Sequence, residues 1–332
     1  MMHKRLEARL AEKKPVRILS LDGGGMRGII PATILQSFET ISGKRIPELF
    51  DVVVGTSTGA ILSAGLTVQN EQGKAKYQAS DFVKLYQDMG NTIFHKDKVL
   101  LEVLEGVTRP SYDPKGYEAL LLSYFSDATL ADALCDVVVP SIELEDMRMH
   151  IFSRANATKN ASENYYIRDL IRAATAAPSY FPAANLHSLD GANGGTFVDA
   201  GVSSNNPGVM ALAEAKALVG ECRCVFISLG TGTISKPIHA LQAKTWGDVE
   251  WLGHIFDLQG DAQSSYTEAA ITTFLEENKD NIYHRFQIDL QTMPFKLDDT
   301  NASHLQELRA AAKDLVAEKS ETIHALVQHL TE

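Results

Sequence analysis

Short runs of consecutive apolar residues alternate along this chain with longer stretches in which apolar positions recur every three or four residues. That is the pattern of buried strands interleaved with helices. Residues 16–21 predict a first strand, and 29–40 a helix with Pro31 in its first turn, where a missing N–H costs little. Val52, Val53 and Val54 predict a second strand. Two strands joined through a helix form a βαβ unit, so they are expected to run parallel. Further strands are expected at 135–144, 148–154, 196–199, 224–229 and 282–290, the last alternating as an edge strand does. Helices are expected at 79–89, at 114–125 and at 167–177, the last stopped by Pro178 and Pro182. They are also expected from Pro207 to about 219 and over 245–278. Everything after Ala302 reads as charged amphipathic helix with Leu305, Leu308, Leu315 and Val316 on its buried side. No repeat, low-complexity tract or long linker divides the chain. The expectation is an α/β fold, one domain over 15–332 behind a charged arm at 1–14, where Leu6 and Leu10 predict a solvated helix.

With 332 residues and 45% apolar content the chain can bury a sizeable core. A net charge of -11 argues against nucleic acid as a partner, because binding by counterion release needs clustered Lys and Arg. It also disfavours general attraction to anionic membranes. Three cysteines (Cys135, Cys222, Cys224) cannot all pair within the chain and fit idle thiols in a reducing compartment. The basic N-terminus has no apolar run behind it, and no stretch nears the ~20 apolar residues of a membrane span, so a cytoplasmic location is expected.

The candidate chemistry starts at 52–65, where the valine strand runs into Gly55-Thr56-Ser57-Thr58-Gly59 and then an apolar helix. Strand, sharp turn and helix around G-x-S-x-G make a nucleophile elbow, with Ser57 at its apex. The helix that follows turns its free N–H groups and dipole towards charge forming at the hydroxyl. Gly23 to Gly28 satisfies G-x-G-x-x-G after a strand and before a helix, which raises a dinucleotide site. That reading needs an acid at the far end of the second strand. The strand ends in Gly55-Thr56-Ser57, and Asp51 lies at its other end. In a parallel βαβ unit both strands instead finish on one sheet edge, so the backbone amides of Gly23, Gly24 and Gly25 can meet the Ser57 hydroxyl and stabilise an oxyanion. A serine needs a base, and the usual partner is a histidine held by an acid. None of the ten histidines lies in a stretch that marks it as that base, whereas Asp199 ends a short strand before small residues and the polar Ser203-Ser204-Asn205-Asn206 loop.

Asp22–Gly28, Gly55–Gly59 and Asp199–Gly201, in that order, with similar stretches at 173–182 and 229–232, resemble the patatin-like phospholipases over roughly 16–312. The resemblance implies a three-layer α/β/α fold with a central mostly parallel sheet. It also implies a Ser–Asp dyad in which Asp199 activates Ser57 without a histidine. The implied reaction is hydrolysis of glycerophospholipid carboxyl esters through an acyl-enzyme, with the Gly23, Gly24, Gly25 and Thr58 amides holding the oxyanion. No cofactor and no metal is implied, calcium included, and the implied partner is a lipid met transiently at a membrane surface. Ala200 and Ala60 stand where the family more often has glycine. Arg27 matches the motif arginine, with three roles open to it: support of the oxyanion loop, contact with a lipid phosphate, or pairing with a nearby acid. Two alternatives stand beside this reading. A Ser-His-Asp esterase is disfavoured because only two strands precede Ser57, and a lipid-binding protein that keeps the fold without catalysis is disfavoured by the intact Ser57 and Asp199. Trp246, Val249, Leu252, Ile255 and Phe256 mark one helical face, expected either to pack on the core or to form a mobile cover that presents Trp246 and Trp251 to lipid.

Overall fold

The computed structural model describes residues 4–94, 110–233, 238, 240–247, 255–290 and 296–332. One sheet contains β1 (Val16–Leu21), β2 (Val52–Gly55), β3 (Asp136–Glu143), β4 (Arg148–Ser153), β5 (Ala184–His187), β6 (Gly194–Asp199), β7 (Cys224–Leu229) and β8 (Ile282–Phe286). The longer helices are α1 (Lys4–Ala11), α2 (Ile29–Ser42), α3 (Thr58–Gly65), α4 (Ala79–Ile93) and α5 (Lys115–Phe125). They continue as α6 (Ile167–Ala174), α7 (Gly208–Val219), α8 (Ile255–Glu276), α9 (Ala302–Glu318) and α10 (Ser320–Thr331).

Side chains alternate across the sheet with a period of two, and here both faces are apolar. Leu19, Leu21, Val53, Val137, Val139 and Ile227 enter a core shared with α2, α4 and α9. Ile18, Val52, Val54, Val138 and Phe226 enter a second core with Ala211 and Ala215 of α7 and Ile271 and Leu275 of α8. The result is three layers, with helices on both faces of a mostly parallel sheet. β2, β1, β7 and β8 follow β3 in parallel, while β4 and β6 each pair with β3 antiparallel.

Register explains how distant residues meet. Val138 pairs with Val54 of β2 and with Ser153 of β4, so those two strands lie on opposite edges of β3. Ser141 pairs with His150 of β4 and Asp199 of β6, which puts β6 on the same edge as β2. β2 stops at Gly55, and β6 takes over that edge from the opposite direction. Their C-terminal ends therefore face each other end to end. Asp199 ends a short strand as expected, and because β6 is antiparallel to β3 it meets the elbow head-on.

Other expectations also shift. The arm forms the expected helix and exposes Lys4, Glu7 and Ala8, but it is docked on one side, since Leu6 is 1% exposed and packs with Val16 and Ile18. α6 ends at Ala174, before the prolines, with Thr175 hydrogen-bonded back to Ile171 O. β5 was not expected, although Ala184 and Leu186 are buried and Asn185 and His187 exposed in strict alternation. β8 ends at Phe286, and the C-terminal helix is broken at Lys319 into α9 and α10. Of the expected apolar face at 246–256, Val249, Trp251 and Leu252 and the side chains of Ile255 and Phe256 lie outside the described residues. The described part of α8 buries Ile271 and Leu275 in the core. No described helix is long and apolar enough to cross a membrane.

Candidate active site

Ser57 sits between β2 and α3 at φ 55° and ψ -121°, a backbone conformation that L residues rarely adopt and that aims its side chain out of the turn. The turn closes only around glycine. A Cβ on Gly55 would overlap the Gly59 carbonyl, and one on Gly59 would overlap the carbonyl of Leu21 at the end of β1. Ser57 is half-buried, and the first helical residue, Thr58, is fixed through its hydroxyl to that of buried Tyr86. Ala60, which departs from the motif, is fully buried in α3.

Asp199 is 3% exposed and lies beside Ser57, whose hydroxyl favours its charged form. Burial pushes its pKa up to about 6, against the opposing pull of the Ser57 hydroxyl and the Gly201 N–H, which donates to Oδ1 at 2.7 Å. A Cβ on Gly201 would lie 3.1 Å from that oxygen and press on it, whereas Ala200 is fully buried.

The glycine loop lies alongside. Gly25 has φ 57° and sits against the Leu297 carbonyl, which accepts from the Met26 N–H at 2.8 Å. Thr231 Oγ1 donates to the Gly23 carbonyl at 2.6 Å. The Gly23 N–H, expected as an oxyanion donor, instead donates to the Asn205 carbonyl at 2.9 Å. Among the described residues the N–H groups of Gly24, Gly25 and Thr58 have no such acceptor. Arg27 donates to the carbonyls of Gly24 (Nε, 3.4 Å) and Gly232 (Nη1, 3.2 Å), bonds that brace the glycine loop. Asp22, buried below the loop, holds Arg285 of β8 through two bonds of 2.6 and 3.3 Å. Burial works against the Arg285 charge, but Asp22, Glu268 and Tyr283 together more than offset this and raise its pKa.

The loop after Asp199 ties these parts together, and sequence reasoning noted only its polarity. Thr56 Oγ1 donates to the Ser204 carbonyl at 2.9 Å. The Asn205 carbonyl takes the Gly23 N–H, and Gln263 of α8 grips both backbone groups of Asn206 at 2.9 Å each. Elbow, glycine loop and α8 thus all fasten to three successive residues. Of the six described histidines, His150 lies near Glu143 and Glu163, His187 in β5, His284 in β8, His304 on Asp299, His324 on the Ser320 carbonyl and His329 near Glu332. No described histidine has a hydrogen bond to Ser57 or Asp199. His3, His95, His239 and His254 lie outside the described residues.

The arrangement has the parts of an acyl-transfer site: a half-buried serine on a strained turn, a buried carboxyl next to it, and backbone donors beside them. A family model described as patatin-like phospholipase matches residues 19–212. Patatin-like protein 2 of Oryza sativa subsp. indica is 35% identical over 270 residues, which are 72% of this chain and 66% of that protein. The chain therefore spans just under two thirds of that relative's length. Patatin-like protein 2 of Arabidopsis thaliana is 29% identical over 312 residues, 83% of this chain and 76% of that protein. Similarity also extends to probable inactive patatin-3-Kuras 1 of Solanum tuberosum, 28% identical over 329 residues, 91% of this chain and 86% of that protein. Overall likeness is thus no measure of activity, and the site's own residues have to carry it.

Proposed function

Because the chain belongs to the patatin-like phospholipase family and holds Ser57 against a buried Asp199, we propose that it is a lipid acyl hydrolase working through a Ser57–Asp199 dyad. The observation that carries this reading is the Asp199 carboxyl beside Ser57 with its pKa raised to about 6. Such a group is ionised at neutral pH yet basic enough to accept a proton, the balance a general base needs. Asp199 takes the Ser57 proton as Oγ adds to the ester carbonyl of a glycerophospholipid. The N–H groups of Gly24, Gly25 and Thr58 face the resulting oxyanion. Collapse expels the alcohol, which takes the proton from Asp199 and leaves Ser57 acylated. Asp199 then deprotonates the water that releases the fatty acid. All proton transfers run through one carboxyl, so the cycle needs neither calcium nor another cofactor. The protein works from the cytoplasm and meets lipid transiently at a membrane surface.

The test is kinetic. Ser57→Ala and Asp199→Asn should each abolish phospholipid hydrolysis, and the double variant should be little worse than either, because groups acting as one unit are non-additive. EDTA should leave the wild-type rate unchanged. The rate kcat/KM should rise with pH through about 6, where Asp199 ionises. A fluorophosphonate probe should label Ser57, and a protein that only binds lipid gives no label. A folded His→Gln variant as inactive as Ser57→Ala would replace the dyad by a Ser-His-Asp triad.

A further inference from the structure

Asn205 is placed where the reaction happens, although no motif points to it. A Cβ built on Gly23 would overlap Asn205 Oδ1 and lie 3.2 Å from Ser57 Cβ, so carboxamide and nucleophile crowd the same point. A Cβ built on Gly201 would lie 3.1 Å from Asp199 Oδ1 and 3.6 Å from Asn205 Oδ1. The carboxamide therefore stands between the glycine loop and the Ser57–Asp199 pair. Its main chain is fixed on three sides, through Ser204 to Thr56, through its own carbonyl to Gly23, and through Asn206 to Gln263. Its side chain, in contrast, has no hydrogen-bond partner among the described residues, and the residue is half-exposed. The neighbouring Asn206 differs: its Oδ1 accepts from the Gly208 N–H at 2.9 Å and its Nδ2 donates to Glu268 at 3.1 Å. A rigidly mounted, uncommitted amide beside a nucleophile is a preorganised donor.

We propose that Asn205 is a catalytic residue whose Nδ2 amide donates a hydrogen bond to the oxygen that becomes negative when Ser57 adds to the ester. This inference rests on the Ser57–Asp199 reading. Oδ1 is the carboxamide atom nearest Gly23 and Gly201, and Nδ2, carried on the same carbon, is the uncommitted donor at this point of the site. The Asn205 carbonyl occupies the Gly23 N–H, and the Asn205 side chain supplies a donor in its place. An uncharged donor suits this position. A cation so near Asp199 would depress its pKa below the useful range, and a carboxylate would raise it.

The experiment compares wild type, Asn205→Ala and the isosteric Asn205→Asp on a short soluble ester, with rates expressed per site titrated by a fluorophosphonate. Misfolded protein then lowers the titrated fraction and not the rate per site. Asn205→Ala should lower kcat about 100-fold, the usual loss for one oxyanion donor, with KM within about threefold of wild type. Phosphonylation of Ser57 should slow by a similar factor, because the adduct is also tetrahedral. Asn205→Asp should lose at least as much and shift the acid limb of the pH profile upward, while Asn205→Ala leaves the limb in place. A rate per site within about threefold of wild type for Asn205→Ala, or a rise in KM alone, would overturn the proposal. Labelling of a residue other than Ser57, or activity surviving in Asp199→Asn, would mark failure of the dyad reading instead.

Discussion

At the scale of single residues, Asp199 sets stability against function. Its pKa is about 6 in the folded chain against an ordinary 3.8, and burial is the cause. Below the unfolded value both states hold the proton, and burying the carboxyl carries no charge penalty. As pH rises through 6 the native site must hold a dry negative charge, and stability is lost. Asp199→Asn removes that charge. At pH 8 the variant should be more stable than wild type by about 2–3 kcal/mol, with the difference vanishing near pH 3.5, as read from urea unfolding at both pH values. Identical midpoints at pH 8 would mean that the carboxylate is well solvated in the native state. Ser57 was legible in the sequence because Gly55 and Gly59, which the turn demands, flank it, and Asp199 because it closes a short strand before small residues. Asn205 was not, since its importance lies in a contact with Gly23, distant in sequence, and a polar loop looks the same whether or not it touches a site.

At the scale of elements, β8 and α8 hold the glycine loop from below. Arg285 of β8 joins Asp22 at the end of β1 to Ser228 of β7 (2.7 Å) and to Glu268 of α8 (3.3 Å). Arg285→Met strands a buried carboxylate and is expected to cost about 3–5 kcal/mol in urea unfolding. Adding Asp22→Asn should recover most of that loss. If the double variant is as unstable as the single one, the pair is not coupled and its partners, not the ion pair, fix the loop. Strand and helix positions on the sheet were largely legible, because buried parallel strands are continuous apolar runs. The misreadings fall where packing outweighs local signals. β5 has only four residues, too few for its alternation to stand out between Pro182 and Gly191. The break at Lys319 has no glycine or proline to announce it.

At the scale of the whole molecule, the edge of the sheet remote from Ser57 has a lock of its own. Asp51, before β2, holds Arg17 at 2.6 Å and Arg5 and Arg9 of α1 at 3.5 Å each, and Arg17 Nη1 donates to the Leu330 carbonyl of α10 at 2.7 Å. One carboxylate thereby fastens both terminal helices to the sheet, which is why the arm expected in solvent is docked. Asp51→Asn leaves buried arginine charge uncompensated and should lower unfolding free energy by about 3–5 kcal/mol. β2 separates Asp51 from Ser57 by about 20 Å of strand and turn. The hydrolysis rate per folded molecule should therefore be unchanged, and a fall in kcat would mean that the lock reaches the site.

The end-to-end meeting of β2 and β6 on β3 also bears on how the chain folds. Ser57 and Asp199 are about 140 residues apart, and the strands that bring them together touch only through a third. Contacts between such distant segments form slowly, because loop closure must come before any stabilisation is gained. Helices and the local βαβ unit can assemble while Ser57 still lacks Asp199 beside it. During refolding, reactivity towards a fluorophosphonate should accordingly return after the helical signal, keeping the hydrolase chemically silent until its last strand is in place.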